Sequence, residues 1–285
     1  MTHGRPLASG DMADVTRRPR AVDASVPNIA RIYDYWLGGK DNFAADRTAA
    51  EGLSAALPGL PLMARENRAF VGRAVRFCAA AGITQFLDIG SGLPTMENVH
   101  EAAERITDKA LVVYVDSDPM VVSHARALLA TERTKAVRGD LTRPAEVVAA
   151  AQATGLVDFA LPVTVLLAAV LHDIPDEADP AGCVAAFRDA MAPGSCLVLS
   201  HAQLAPGHVD GTEPTSEVGR RIAAAYHGVP PGNANRTRDE IAAFFGDMTL
   251  AEPGLTAVWA WRPDTRRAAL RPGVLTVLGG VAIRD

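Results

Sequence analysis

Apolar residues follow helical spacing in the first third of the chain and strand spacing after it. Ile29, Ile32, Tyr33, Trp36 and Leu37 fall at i, i+3, i+4, i+7 and i+8, one stripe along a helix that begins near Ser25. Pro27 suits its first turn, and Gly38-Gly39 supply its stop. A second helix is expected after Asn42 and a third over about 62–81, with Phe70, Ala74 and Phe77 on one face. From Gln85 the texture changes. Short β-branched runs at 86–89, 111–115, 135–137, 163–167 and 196–199 alternate with alanine-rich stretches of helical length. That alternation predicts right-handed crossovers and a parallel sheet covered on both faces. Runs at 257–261 and 274–283 have no helix expected between them and read as an antiparallel hairpin closing one edge. Residues 201–236, rich in Gly, Pro and Asn, lack periodicity and read as a long functional loop. The expected plan is a disordered tail (1–24), a helical cap (25–82) and an α/β domain (83–285) with 201–236 as lid or substrate loop.

Composition narrows the class. At 285 residues, 48% hydrophobic and 21% charged, the chain is neither wholly disordered nor a collagen-like repeat nor a disulfide scaffold. A net charge of -5 gives no drive toward a phosphate backbone. Lys40, Lys109 and Lys135 are the only lysines among 28 basic residues, an arginine skew that reads as coding bias rather than nucleic-acid binding. Cys78, Cys183 and Cys196 are odd in number and form no CxxC pair, so a reducing cytoplasm is expected. Arg17, Arg18 and Arg20 sit in an N-terminus without the apolar segment of a signal peptide. The longest apolar run, 159–171, contains Pro162 and falls short of the roughly 20 residues that span a bilayer. No membrane partner is expected.

The sharpest chemical signal is Asp88-Ile89-Gly90-Ser91-Gly92: a strand ends in a carboxylate, and a glycine turn lets a ligand approach the backbone. A dinucleotide fingerprint needs a third glycine where this chain has Thr95, preceded by Pro94. Asp88 would also repel a pyrophosphate, whereas a ligand bearing an ammonium and a sulfonium would welcome it. The turn therefore fits S-adenosylmethionine better than NAD. Asp116 ends the next strand, where it can accept both ribose hydroxyls, with Ser117 and Asp118 after it. Asp140-Leu141 follows the third strand, where the adenine amino group needs an acceptor. Any one of these acids alone would more often be a helix N-cap. Three at the ends of consecutive strands argue for a ligand.

The order D-I-G-S-G, V-Y-V-D-S-D-P and R-G-D-L resembles the class I S-adenosylmethionine-dependent methyltransferases. The stretch Y-D-Y-W-L-G-G-K-D-N-F at 33–43, with R-E-N-R-A-F at 65–70, resembles one bacterial, actinobacterial-type family of S-adenosyl methyltransferases whose substrates are largely unassigned. The resemblance covers about 25–285. It implies a Rossmann-like seven-stranded, mostly parallel sheet of order 3-2-1-4-5-7-6, its seventh strand antiparallel, behind an N-terminal helical cap. It also implies S-adenosyl-L-methionine as methyl donor and S-adenosyl-L-homocysteine as product. Asp88, Gly90, Ser91 and Gly92 would line the methionine, Asp116 and Ser117 the ribose, and Asp140 and Leu141 the adenine. Many class I enzymes carry a third glycine where Pro94 stands, which bears on the path of this turn.

The acceptor side rests on Leu171-His172-Asp173-Ile174-Pro175-Asp176-Glu177 after the fourth strand. L-H-D-x-x-D-E resembles small-molecule O-methyltransferases in which the histidine is the base; their dimerisation domain has no counterpart here. His172 either takes a hydroxyl proton or orders the strand-to-helix turn. His201, ending the fifth strand, is read as facing the same rim, as a second candidate base or, in preference, a positioning residue. Tyr33, Tyr35 and Trp36 either pack an amphipathic helix or lid the cofactor, Tyr33 being the one expected at the cofactor. The other histidines show no metal spacing, and no metal is expected. The reading is methyl transfer to a small-molecule acceptor, most simply a hydroxyl. A non-catalytic S-adenosylmethionine-binding protein and an NAD(P)-dependent oxidoreductase are the alternatives, separated by the acceptor pocket around His172 and by Asp88.

Overall fold

In the computed structural model, residues 23–205, 207, 209–210, 213–226, 234–264 and 273–285 are described. The tail at 1–22 lies outside them, as do 227–233 of the loop and 265–272 between the last two strand-like runs.

Three helices precede the sheet: α1 (Ile29–Leu37), α2 (Ala44–Ala56) and α3 (Leu60–Ala80). Asn28 caps α1 by accepting the N–H groups of Ala30 (2.9 Å) and Arg31 (3.3 Å), so Pro27 precedes the cap instead of entering the first turn. Ile32, Trp36, Ala50, Leu53 and Leu57 bury the seam between α1 and α2. Asp46 locks it, ion-paired with Arg31 at 2.7 Å while accepting the N–H groups of Asn28 and Phe43.

The chain then alternates β1 (Gln85–Ile89), α4 (Val99–Glu104), β2 (Leu111–Asp116), α5 (Pro119–Leu128), β3 (Thr134–Arg138), α6 (Pro144–Ala153), β4 (Val163–Ala168), α7 (Pro180–Ala190) and β5 (Cys196–Leu204). A two-residue hairpin, β6 (Val209–Asp210) and β7 (Glu213–Pro214), leads to α8 (Glu217–Tyr226) and α9 (Arg238–Ala243). The last strands are β8 (Thr249–Leu250), β9 (Thr256–Ala257) and β10 (Leu275–Ile283). The sheet order is β3-β2-β1-β4-β5-β10-β8, with β9 on β10. β1 to β5 run parallel, and β10 pairs antiparallel with β5 along its whole length. This is the expected 3-2-1-4-5-7-6 arrangement, with β8 and β10 in the sixth and seventh places and β9 as an extra short strand.

Side chains alternate across the sheet, as a strand's period of two requires. Leu87, Ile89, Val113, Val165 and Leu199 face α6, α7 and α9. Phe86, Val112, Tyr114, Leu166 and Val198 face α3, α4 and α5. The cap and the sheet thus share a core through α3.

Two expectations are corrected. Of the 257–261 run only Ala257 is strand: the chain turns into a 3-10 helix at Val258–Ala260. Arg73 draws it down by donating to the carbonyls of Trp261 (2.8 Å) and Val258 (2.6 Å), and Trp261 stands edge-on to Phe70 and Phe77. The loop expected at 201–236 begins with the last residues of β5, held by β10, and contains α8.

Candidate active site

A cavity of about 210 Å³ opens beyond the carboxyl ends of β1, β2, β3 and β4. Its wall includes every residue expected to hold a cofactor: Asp88, Gly90, Ser91 and Gly92 after β1, Asp116 and Ser117 after β2, Asp140 and Leu141 after β3, and Tyr33 from α1. Gly90 and Gly92 both have positive φ (70° and 66°). A Cβ at Gly90 would meet Val170 Cγ2 at 2.5 Å, whereas one at Gly92 would stand in open space. The first glycine lets the loop pack on the chain after β4, and the second leaves backbone bare for a ligand. Thr95, where the dinucleotide pattern needs glycine, donates its hydroxyl to Asp34 of α1 at 2.5 Å and ties this loop to the cap.

Five aspartates and one arginine line the cavity. Asp88 is buried, and burial raises its pKa to about 6, the charge of Asp116 adding to the rise and that of Arg68 opposing it. Arg68, from α3, lines the same wall, and its Nε is buried with no hydrogen-bond partner among the described residues. Asp116 accepts the N–H of Asp118 on Oδ1 (2.9 Å) and that of Gly92 on Oδ2 (3.0 Å), leaving lone pairs on both oxygens. Asp118 caps α5 through Met120 N–H and takes the Asn28 amide at 2.8 Å, so the first turns of α1 and α5 meet at the cavity. Asp140 bonds Thr142 through Oδ1.

A second cavity of about 60 Å³ adjoins the first and shares Ile29, Tyr33, Asn67, Ala169 and Asp173 with it. A hydrogen-bonded chain runs along the shared wall. Ala169 N–H donates to Ser200 Oγ (3.0 Å), Ser200 Oγ to Asn67 Oδ1 (2.7 Å), Asn67 Nδ2 to the Tyr33 hydroxyl (3.0 Å), and that hydroxyl to Ala64 O (3.1 Å). It holds Ala169 at φ 55°, a left-handed conformation costing a non-glycine residue of order 1–3 kcal/mol.

His172 lines the second cavity. Burial, then the Arg236 charge, lowers its pKa to about 4, so the ring is neutral near pH 7. Its Nδ1 accepts the Ala202 N–H at 3.3 Å. His201 does not reach either wall, which corrects its expected place on the rim: it is fully buried between His172 and Phe244. β5 continues past His201, and the pleat turns this side chain inward. Arg236 donates to His201 Nε2 (3.1 Å), and His201 Nδ1 in turn meets Ala202 O at 2.6 Å. Burial foremost, with the charges of His172 and Arg236, pushes the His201 pKa down to about 2.

Five site residues were given no role by the sequence reading: Asn28, Asn67, Arg68, Asp173 (named only within the L-H-D-x-x-D-E stretch) and Arg236. The first four line the cavities, and Arg236 fastens 171–176 by donating to Leu171 O, Ile174 O and Asp176. Asn67 and Arg68 lie in the R-E-N-R-A-F stretch that carried the resemblance, the one signal that pointed to them. No cluster of metal-binding side chains occurs among the described residues, and no helix there is long and apolar enough to cross a membrane. Cys78, Cys183 and Cys196 are free thiols.

The sequence matches the profile of a family described as S-adenosyl methyltransferase over residues 15–285. A candidate methyltransferase from Thermobifida fusca YX is 38% identical, over 95% of this chain and 99% of that one, with a TM-score of 0.83. A DUF574 family protein from Streptomyces avermitilis MA-4680 is 35% identical, over 92% of this chain and 99% of that one, also at a TM-score of 0.83. An O-methyltransferase family protein from Burkholderia thailandensis, 14% identical over 85% of this chain and 60% of that one, has a TM-score of 0.50, a likeness of fold alone. No curated protein matches the sequence.

Proposed function

The chain belongs to the S-adenosyl methyltransferase family, and from that premise we propose that it transfers the methyl group of S-adenosylmethionine to a hydroxyl of a small molecule. One observation carries the reading: residues from α1, α3 and the ends of four strands meet in a single cavity with the donors and acceptors this cofactor needs. When bound, the cofactor supplies an electrophilic methyl carbon on a sulfonium that leaves as a thioether.

The chain's own residues bind and orient. Asp88 faces the methionine ammonium, and the Arg68 guanidinium on the same wall meets the carboxylate, a zwitterion clamp. Asp116 uses its free lone pairs on the ribose, and Asp140 with Leu141 borders the adenine. The α1 helix, with Tyr33 on the wall of both cavities, excludes water from the reacting atoms. The open second cavity supports turnover over mere binding, because it leaves room for an acceptor beside the cofactor. Two polar side chains on its wall stand beside an acceptor placed there: His172, the base expected from the sequence, and Asp173.

Calorimetric titration with S-adenosylhomocysteine, methylthioadenosine (which lacks the amino-acid end) and NADH tests this. Micromolar binding of S-adenosylhomocysteine is expected. Asp116→Ala should weaken it by about 100-fold through loss of two charged hydrogen bonds. Arg68→Gln should lower it toward the methylthioadenosine value and leave methylthioadenosine itself unchanged. Binding of NADH alone would instead sink the reading and restore the oxidoreductase.

A further inference from the structure

The second cavity holds about 60 Å³, the occupied volume of about four to six waters and thus of a six-membered ring with one substituent. Trp36, Leu60, Met63, Leu204 and Val277 make most of its wall apolar. No arginine or lysine lines it among the described residues, so an anionic acceptor would find no counter-charge.

Its polar groups are largely engaged already. Tyr33 and Asn67 belong to the hydrogen-bonded chain described above, and His172 Nδ1 holds the Ala202 N–H. With that lone pair taken, the neutral His172 ring carries its proton on Nε2 and can only donate there. Asp173 is the exception. It is 8% exposed, lines both cavities, and its carboxyl has no hydrogen-bond or ion-pair partner among the described residues. An unpaired carboxyl buried at the junction of two cavities costs free energy in the empty protein, and a ligand hydrogen would relieve that cost.

We propose that Asp173 is the acceptor-recognising side chain: a carboxyl oxygen takes the hydrogen bond of the hydroxyl on a small, uncharged, largely apolar molecule seated in the second cavity. The inference rests on the methyl-transfer reading, since the junction faces an acceptor only if the first cavity holds the methyl donor. It directs the hydroxyl proton toward Asp173 and leaves His172 as a donor on the same wall.

Phenol, anisole and benzoate separate the possibilities, each titrated by ligand-observed NMR into protein saturated with S-adenosylhomocysteine. Anisole lacks the donor, and benzoate is the matching anion. Phenol is expected to bind saturably and at least about 10-fold more tightly than either. Asp173→Ala should bring phenol down to the anisole value in protein again saturated with S-adenosylhomocysteine. Asp173→Leu, which fills the same volume, should give the same loss if the alanine variant folds poorly. Phenol no tighter than anisole, benzoate binding as well as phenol, or a phenol preference surviving both variants would each overturn the proposal. Failure of the wild-type protein to take S-adenosylhomocysteine, seen before any phenol is added, would overturn the methyl-transfer reading instead.

Discussion

Asp88 is the residue on which pH acts most directly. Its pKa of about 6, against an ordinary 3.8, means that the folded chain keeps a proton that the unfolded chain has lost between those values. Stability from this group therefore declines as pH rises through that window, because the ionised form is the one burial disfavours. A cofactor ammonium reverses the preference: binding favours the carboxylate and expels the proton. Affinity for S-adenosylhomocysteine is expected to rise about 10-fold from about pH 5 to about pH 7, and Asp88→Asn to flatten the profile. Asp116, raised by burial too, adds to the same slope, so the asparagine variant is the arbiter. Equal affinity at both pH values would remove Asp88 from the ammonium. The places of Asp88, Asp116 and Asp140 on the cavity wall were legible in the sequence because each stands at or just beyond a strand end. Asp34 was not. It accepts from Thr95, Asp41 N–H and Asn42, and its principal partner lies 61 residues away.

Elements long enough to show a period were legible, and short ones were not. Five strands and three helices stand within a few residues of where the pattern of apolar positions places them. The two-residue strands β8 and β9 carry no period at all. β5 outran its apolar run because β10 pairs with it as far as Leu204, which no local signal encodes, and His201 was misplaced for that reason. The pairing of α1 with α2 offers a test at this scale. Arg31 and Asp46 are 4% and 0% exposed, so removing one partner strands a buried charge. Asp46→Ala should destabilise the protein by about 3–5 kcal/mol, and the double variant Arg31→Met, Asp46→Leu should recover most of it, as read from denaturant midpoints. Equal losses in single and double variants would show that packing, not charge, holds the two helices.

Taken whole, the molecule divides into a half the sequence discloses and a half it conceals. Much of the wall of the first cavity is written in local motifs at the ends of successive strands. The wall of the second cavity is assembled from residues between Ile29 and Val277, brought together by the fold, and only His172 and Asp173 in it stand in a stretch the sequence singles out. Because α1 and α3 help line the first cavity, S-adenosylhomocysteine should slow amide exchange across α1 as much as in the 88–92 loop while leaving β8 unchanged. Protection confined to the strand ends would separate the cap from the site. The way α3 is fastened bears also on how the chain comes into being. Arg73 reaches carbonyls 188 and 185 residues further on, and Asn28 reaches Asp118 90 residues on. A nine-residue helix such as α1 is marginal by itself. A segment made before the sheet is therefore among the last to be completed. Until residue 261 has been made, Phe70 and Phe77 lack the Trp261 ring that covers them, and the nascent cap offers that apolar surface to chaperones and proteases.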